Sequence, residues 1–202
     1  METDITLIRH GETDWNRKMQ YQGQTDIPLN KKGNSQAEKL AEYLAGENFD
    51  FIYSSDLKRA AGTAEIIASR LKMNLVTIKG LREMSFGDWE GMDYKELREN
   101  YHYIFQDWIK DPASTAPPGG ESLAQFQNRV VDSMEKVVER HKGQSGIVVC
   151  HGGTIRVWLA FLLDMPLGRN RRLEVDNTSL SRIRFYDENP VIRGINLTTH
   201  LD

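Results

Sequence analysis

The stretch GIVVCHGGTIRVWLAFLL, residues 146–163, determines the fold class of this chain. Its first five residues are apolar enough to form a strand at the centre of a sheet. His151 follows this strand directly, and Gly152 and Gly153 then open a helix that reaches about Leu163. A buried strand that leads into a helix through a short polar turn is typical of α/β proteins.

The same alternation continues on both sides of this stretch. Apolar runs predict strands at residues 5–8, 51–53 and 75–78, and a closing pair of edge strands at residues 181–186 and 191–197. Helical periodicity covers about residues 34–44, 57–71 and 122–141, and Ser54 and Ser55 are suited to capping the second of these helices. Residues 81–115 are irregular and rich in aromatic side chains. We therefore expect an α/β three-layer sandwich, with a mostly parallel central sheet flanked by helices on both faces.

Composition limits the class of protein. With 202 residues, 39% hydrophobic and 27% charged, the chain suits one folded domain, residues 1–202, and wholesale disorder is excluded. The longest apolar runs are far shorter than the roughly 20 residues that cross a bilayer. We expect no signal peptide and no membrane partner, and the single cysteine, Cys150, fits a reducing, cytoplasmic location. A net charge of −3 argues against a nucleic-acid partner but not against a local basic pocket.

Four polar stretches carry candidate chemistry, and the first is LIRHGETDWN, residues 7–16. Arg9 supplies a bidentate cation, His10 a nucleophile or proton carrier, and Gly11 a backbone without a Cβ. A neutral imidazole can attack phosphorus, and nearby cations disfavour its protonated form. The alternative is a histidine in a loop turn beside a surface arginine.

The second and third stretches are SSDLKRA, residues 54–60, and LREMSFGDWEG, residues 81–91. Arg59 lies near the start of a helix, where it could hold an anion together with the helix amides, although most arginines at such positions are simply exposed. Glu83 lies close in sequence to Phe86 and Trp89, and a carboxyl group against aromatic walls can act as an acid near neutral pH. A polar loop with aromatic anchors is the alternative. We expect the other charged residues there to lie on the surface: Arg82, Asp88 and Glu90.

The fourth stretch, VVCHGGTIR, residues 148–156, places His151 between a buried strand and a Gly-Gly helix start. The amide of Gly152 and the hydroxyl of Thr154 could face an anion there. A purely structural histidine is the alternative interpretation.

The remaining candidate residues show weaker signs of a functional role. We expect His102, His141 and His200 to be exposed, Cys150 to belong to the core, and Arg169, Arg171 and Arg172 to form a solvated basic loop. No H-E-x-x-H or C-x-x-C spacing is present, so no metal site is expected. Neither a P-loop nor a G-x-G-x-x-G motif occurs, which disfavours nucleoside triphosphates and dinucleotide cofactors.

Taken together and in this order, the four stretches resemble the histidine phosphatase superfamily, which includes cofactor-dependent phosphoglycerate mutase. The resemblance covers essentially the whole chain and implies the phosphoglycerate mutase-like fold. It implies that His10 is the phosphorylated nucleophile, that Glu83 is the proton donor, and that Arg9, Arg59 and His151 complete the catalytic pocket. Further phosphate contacts are expected from Asn16, Gly152 and Thr154.

Two further stretches, FGDWEG at residues 86–91 and PPGGES at residues 117–122, are similar to α-ribazole phosphatases and broad-specificity phosphatases. The resemblance implies a metal-independent phosphomonoesterase without a cofactor, acting on small-molecule phosphate esters through phosphohistidine. α-Ribazole 5′-phosphate and a broad range of phosphometabolites are the candidate substrates, and residues 90–121 form the expected lid-like insertion.

Two alternatives belong to other functional classes. A phosphoglycerate mutase typically carries a longer insertion between the acid and the second histidine than this chain has. A binding protein without catalysis would not need an intact acid at Glu83. The sequence does not indicate the oligomeric state.

Overall fold

In the computed structural model, which describes residues 1–201, the apolar runs form one six-stranded sheet. The strands are β1 (Glu2–Arg9), β2 (Phe51–Ser54), β3 (Leu75–Thr77), β4 (Ser145–Cys150), β5 (Leu180–Tyr186) and β6 (Asn189–Leu197). Their order across the sheet is β3-β2-β4-β1-β5-β6. The first four strands in this order are parallel, and β5 and β6 are antiparallel additions at one side. The predicted mostly parallel sheet is confirmed, and β4 lies inside it as expected.

Helices cover both faces of this sheet. They are α1 (Asp14–Arg17), α2 (Lys31–Leu44), α3 (Lys58–Leu71), α4 (Tyr94–Asn100), α5 (His102–Lys110), α6 (Leu123–Arg140) and α7 (Gly152–Leu162). Helix α2 begins three residues before the predicted start, because the side chain of Asn30 caps it by accepting from the Gly33 amide.

Alternation along β4 separates the two layers of the core. Ile147 and Val149 point to one face, where they join the buried side chains of α2 and α3. Val148 and Cys150 point to the opposite face and join those of α6 and α7. Burial raises the pKa of the Cys150 thiol above its usual range, so this cysteine is a core residue, as predicted. The three-layer arrangement is therefore confirmed.

The segment that the sequence left irregular contains two helices, α4 and α5. A capping box starts α4, because the side chain of Asp93 accepts from the Lys95 and Glu96 amides. Helix α5 buries Phe105 and Trp108 in an aromatic cluster that includes Trp89. The helices have only 7 and 9 residues and meet at Tyr101, so neither shows a long apolar period. The prediction of an irregular segment was wrong here.

The predicted capping of α3 by Ser54 and Ser55 was also wrong. The helix begins after Leu57, which makes no side-chain cap, and the Lys58 amide donates instead to Asp26 Oδ1 at 2.7 Å. The two serines stay at the end of β2, where the hydroxyl of Ser55 meets His151. None of the helices within residues 1–201 has the length and apolar character needed to cross a lipid bilayer.

Candidate active site

Three neighbouring parallel strands, β2, β4 and β1, end together at one edge of the sheet. Arg9 is the last residue of β1 and pairs in register with Cys150 at the end of β4. His10 and His151 are the next residues on these two strands, and their ring centroids are 5.2 Å apart. The carboxyl edge of parallel strands is where α/β proteins bind ligands. The fold thus brings the two predicted histidines side by side.

The structure holds His10 as a neutral imidazole with one nitrogen available. The ring is only 3% exposed, and Nδ1 lies 2.7 Å from the carbonyl oxygen of Gly11. A carbonyl only accepts, so Nδ1 carries the proton and Nε2 keeps its lone pair. Burial, Arg59 and Arg9 together hold the pKa of His10 well below its usual value. This is the state that a nitrogen nucleophile requires.

Two buried guanidinium groups lie beside this imidazole. Arg59 is fully buried and donates to the carbonyl oxygens of Thr25 and Gly23 at 2.9 and 2.7 Å. Arg9 donates from Nη1 to the carbonyl oxygen of Val175 at 2.7 Å. Burial lowers the pKa of each arginine to about 10, so both remain charged at neutral pH.

Three buried nitrogens at this edge have no hydrogen-bond partner. They are Nε of Arg9, Nε of Arg59 and Nδ1 of His151. A buried N–H group without a partner is costly, so three of them together indicate a site that a ligand acceptor completes. Phosphate oxygens are acceptors of the required kind.

Ser55, which was not predicted to belong to the site, contacts the ring of His151. Its hydroxyl oxygen accepts from the Leu57 amide at 3.4 Å and lies 2.9 Å from His151 Nε2. We infer that the hydroxyl proton is donated to Nε2, which leaves the proton of the neutral ring on Nδ1 as a donor. Burial and then Arg59 hold the pKa of His151 well below its usual value, in agreement with a neutral ring.

The Glu83 carboxylate lies against the start of α7. Oε2 accepts from the Gly153 amide at 2.9 Å, and Oε1 accepts from the Met84 amide at 2.9 Å. A Cβ on residue 153 would lie 2.2 Å from Oε1, so only glycine allows this approach. Phe86 lines the same cavity as Glu83, whereas Trp89 turns into the aromatic cluster of α4 and α5. The expected aromatic wall is therefore only partly present.

Of the three secondary phosphate contacts predicted from the sequence, only Thr154 is directed away from the site. The hydroxyl of Thr154 is buried and directed at the carbonyl oxygens of Leu81 and Arg82, so it holds the segment before Glu83 instead of facing an anion. Asn16 accepts from the Thr13 amide through Oδ1, which leaves its NH₂ group for a ligand. Gly152 lies beside Arg9, whose Nε would be 3.4 Å from a Cβ at that position.

Glu90 was predicted to be a surface charge, and this prediction was wrong. Its carboxylate accepts from the backbone amides of Gln24, Thr25 and Phe86 and from the hydroxyl of Thr25. Arg82 forms a bidentate ion pair with Asp56. Its Nε and Nη2 atoms donate to Oδ1 and Oδ2 of Asp56, each at 2.7 Å. Asp88 is exposed, as expected.

The contacts of Glu90 help to hold the Arg59 guanidinium in place. The loop that Glu90 binds provides both carbonyl oxygens that hold the Arg59 guanidinium. Gly23 in this loop has a φ of +53°, and a Cβ there would lie 1.9 Å from Glu90 Oε1. Glu90 thus holds the loop that positions the Arg59 guanidinium.

Replacing Glu90 with alanine is expected to weaken inhibition by inorganic phosphate about tenfold, because several amides lose their acceptor and the Arg59 carbonyl partners shift. Asp88→Asn is the matched control, since it removes a neighbouring exposed carboxylate. The inhibition constant should move in the first variant and not in the second, with both variants folded by circular dichroism. An unchanged constant in Glu90→Ala would contradict the positioning role.

A cavity of about 290 Å³ opens next to Glu83. Its walls are largely apolar, with Phe86, Trp108, Ile109 and Phe126 among them, and two arginines, Arg156 and Arg171, also face it. Arg171 is exposed on its short turn, as predicted, and its guanidinium lies 4.7 Å from the Trp108 ring centroid.

Two of the three remaining histidines also differ from expectation. His200 is buried with Nε2 3.2 Å from the Thr178 hydroxyl, and His141 stacks on Phe51 with a ring separation of 3.8 Å. Only His102 is exposed as predicted. Each of the two corrected residues has aromatic or hydroxyl partners far away in the sequence.

Comparison with known proteins agrees with this geometry. Residues 5–198 match the family described as the histidine phosphatase superfamily, branch 1. The chain is 37% identical to phosphoserine phosphatase 1 of Hydrogenobacter thermophilus over 98% of this chain and 93% of that protein. It is 36% identical to phosphoglycerate mutase-like protein 4 of Arabidopsis thaliana over 91% of this chain and 80% of that protein. The crystal structure of the α-ribazole phosphatase of Shigella flexneri superimposes with a TM-score of 0.89 at 30% identity, covering 96% of each chain. The chain therefore belongs to branch 1 of the histidine phosphatase superfamily.

Proposed function

We propose that this enzyme hydrolyses small phosphomonoesters through a phosphohistidine on His10, without a metal ion. The observation that carries the proposal is the set of three unpaired buried nitrogens, on Arg9, Arg59 and His151, around a neutral imidazole. Metal-free phosphoryl transfer needs such donors, because charge on the three equatorial oxygens must be neutralised.

The proposed reaction has two steps. His10 Nε2 attacks phosphorus in line, the N–P bond forms, and the P–O bond to the alcohol breaks while Glu83 gives the departing oxygen a proton. Glu83 then takes a proton from a water molecule whose oxygen attacks phosphorus, the N–P bond breaks, and phosphate leaves. Arg9, Arg59 and His151 donate to the phosphoryl oxygens in both steps. The enzyme returns to its starting protonation state.

We further propose that residues 1–202 form one domain in which residues 90–121 act as a lid over the leaving group. Trp108, Ile109 and Pro112 from this segment line the cavity beside Glu83, which supports the assignment. Exclusion of bulk water by such a segment favours proton delivery to the substrate.

A phosphate-release assay over a panel of esters tests the hydrolytic function. The panel includes α-ribazole 5′-phosphate and O-phosphoserine, because relatives are named for these activities. Hydrolysis of panel members by the wild type supports the proposal. Transfer between positions of phosphoglycerate, stimulated by bisphosphoglycerate and faster than hydrolysis, would instead identify a mutase.

Activity is expected to survive treatment with EDTA. Phosphate or vanadate is expected to inhibit competitively, because its oxygens accept hydrogen bonds from the three unpaired donors. Within residues 1–201, no group of three or more His, Cys, Asp or Glu side chains is placed to hold a metal ion. The measurement is the rate of phosphate release before and after chelation. A complete loss that Mg²⁺ or Zn²⁺ restores would contradict the metal-free mechanism.

A further inference from the structure

The turn that leads into β5 carries an asparagine, Asn177, that was not predicted to belong to the site. Its side-chain NH₂ group donates to the carbonyl oxygen of His10 at 2.9 Å and to Oδ1 of Asn16 at 3.3 Å. Both hydrogens of this group are therefore in use. One side chain thus contacts the main chain of the proposed nucleophile and the side chain of an expected phosphate contact.

Backbone groups with fixed roles determine the orientation of both amides. A carbonyl oxygen only accepts, so the group of Asn177 that faces His10 is the nitrogen. The Thr13 amide only donates, so the atom of Asn16 that it meets at 3.1 Å is Oδ1. The Thr13 hydroxyl also donates to this oxygen at 3.1 Å. With three donors on its oxygen, the Asn16 amide cannot flip, and its NH₂ group is left for a phosphoryl oxygen.

The contact with the His10 carbonyl also bears on the direction of the imidazole. The peptide group between His10 and Gly11 is held at both polar atoms, because the Gly11 amide donates to Thr63 Oγ1 at 3.0 Å and the His10 carbonyl accepts from Asn177. The next carbonyl, that of Gly11, is the acceptor for His10 Nδ1. Without the Asn177 donor this peptide group can rotate, and the direction of the Nε2 lone pair becomes less well defined.

The residue after Asn177 has an unusual backbone conformation. Thr178 is buried and has a φ of +57°, which a β-branched residue rarely adopts because of its steric cost. Its amide donates to the carbonyl oxygens of Arg9 and His10 at 3.0 and 3.4 Å. Backbone strain of this kind persists where the surrounding structure enforces it, and it is concentrated at functional sites. The turn is thus fastened to the end of β1 by main-chain and side-chain donors together.

We propose that Asn177 is a positioning residue for phosphoryl transfer, whose NH₂ group keeps the His10 imidazole in line with phosphorus and the Asn16 amide turned toward the phosphoryl oxygens. This proposal rests on the proposed phosphatase function and adds a residue to its machinery. In-line attack is sensitive to position, since a misplacement of about 1 Å can lower the rate roughly 100-fold.

The first test removes the two donors and keeps the shape of the side chain. In Asn177→Asp, the single-turnover release of nitrophenol from p-nitrophenyl phosphate is expected to slow about 10- to 100-fold, and the calorimetric affinity for inorganic phosphate to fall about 3- to 10-fold. Asn177→Ala removes the same donors without adding a charge and should lower both quantities as well. Asn74→Asp makes the same chemical change at an exposed position between α3 and β3 and should alter neither.

The second test separates the two contacts of Asn177. In an Asn16→Ala background, Asn177→Ala should no longer change the affinity for phosphate, because the amide that it orients is absent. It should still slow nitrophenol release, because the contact with the His10 carbonyl is lost as before. A general loosening of the fold would lower both quantities in both backgrounds, so a further loss of phosphate affinity in the double variant would overturn the proposal.

The outcomes for Asn177 and for the proposed function are distinguishable. Unchanged nitrophenol release and phosphate affinity in both Asn177 variants would overturn the positioning role, while hydrolysis by the wild type would still support the phosphatase. A wild-type protein that hydrolyses no ester would contradict the proposed function. The phosphate affinities would then still support the orientation of Asn16 by Asn177 if the effect of Asn177→Ala disappears in Asn16→Ala, and overturn it if the effect remains.

Discussion

Replacing His10 with alanine is expected to lower kcat for every phosphate ester by at least ~10⁴-fold, because it removes the atom that accepts the phosphoryl group. The remaining donors on Arg9, Arg59 and His151 would still bind the phosphate, so the loss should appear in kcat more than in KM. The variant should stay folded, since the contacts of the His10 ring are polar ones at the edge of the sheet, with the Gly11 carbonyl oxygen and the His151 ring.

Rapid-quench labelling distinguishes the nucleophile from a general base. Wild-type protein mixed with a labelled phosphate ester should form an acid-labile, base-stable phosphoprotein, and His10→Ala should form none. His102→Ala is the matched control, because it removes an exposed imidazole from α5. Retention of a tenth of the activity by His10→Ala would show that the covalent mechanism is wrong.

The motif residues could be predicted from the sequence because each one follows directly from its own strand or helix. Arg9 and His10 end one apolar run, and His151 ends the most apolar run of the chain. Parallel strands bring their carboxyl ends to one edge, so the meeting of these residues depends on the sheet alone. The three-layer arrangement could be predicted for a similar reason. Alternate residues of β4 point to opposite faces of the sheet, and helices cover each face.

The supporting residues could not be predicted because their roles depend on partners far away in the sequence. Ser55 meets His151 across 96 positions, and Glu90 meets Thr25 across 65. A hydroxyl or a carboxylate in a polar loop looks the same in sequence whether it is solvated or buried against such a partner.

Replacing Glu83 with glutamine is expected to lower turnover of alkyl phosphates by about 10²–10⁴-fold, the usual contribution of general acid catalysis. An alkyl alcohol leaves poorly as an alkoxide, so its ester needs a proton at the bridging oxygen in the transition state. A nitrophenolate leaves readily without that proton. The phosphorylation step on p-nitrophenyl phosphate should therefore lose far less than the same step on an alkyl ester.

Pre-steady-state kinetics separate the two steps for this variant. Glu83→Gln should release a burst of nitrophenol and then turn over slowly, because the second step still needs a base to activate water. Asp88→Asn is the control, and it should show the wild-type burst and steady rate. Equal losses on both ester types during the burst would show that Glu83 is not the acid.

No neighbouring carboxylate in residues 81–91 is placed to take over the role, since Asp88 is exposed and the carboxylate of Glu90 is bound to the loop that holds Arg59. The absence of a substitute within this segment is why the loss at Glu83 should be large.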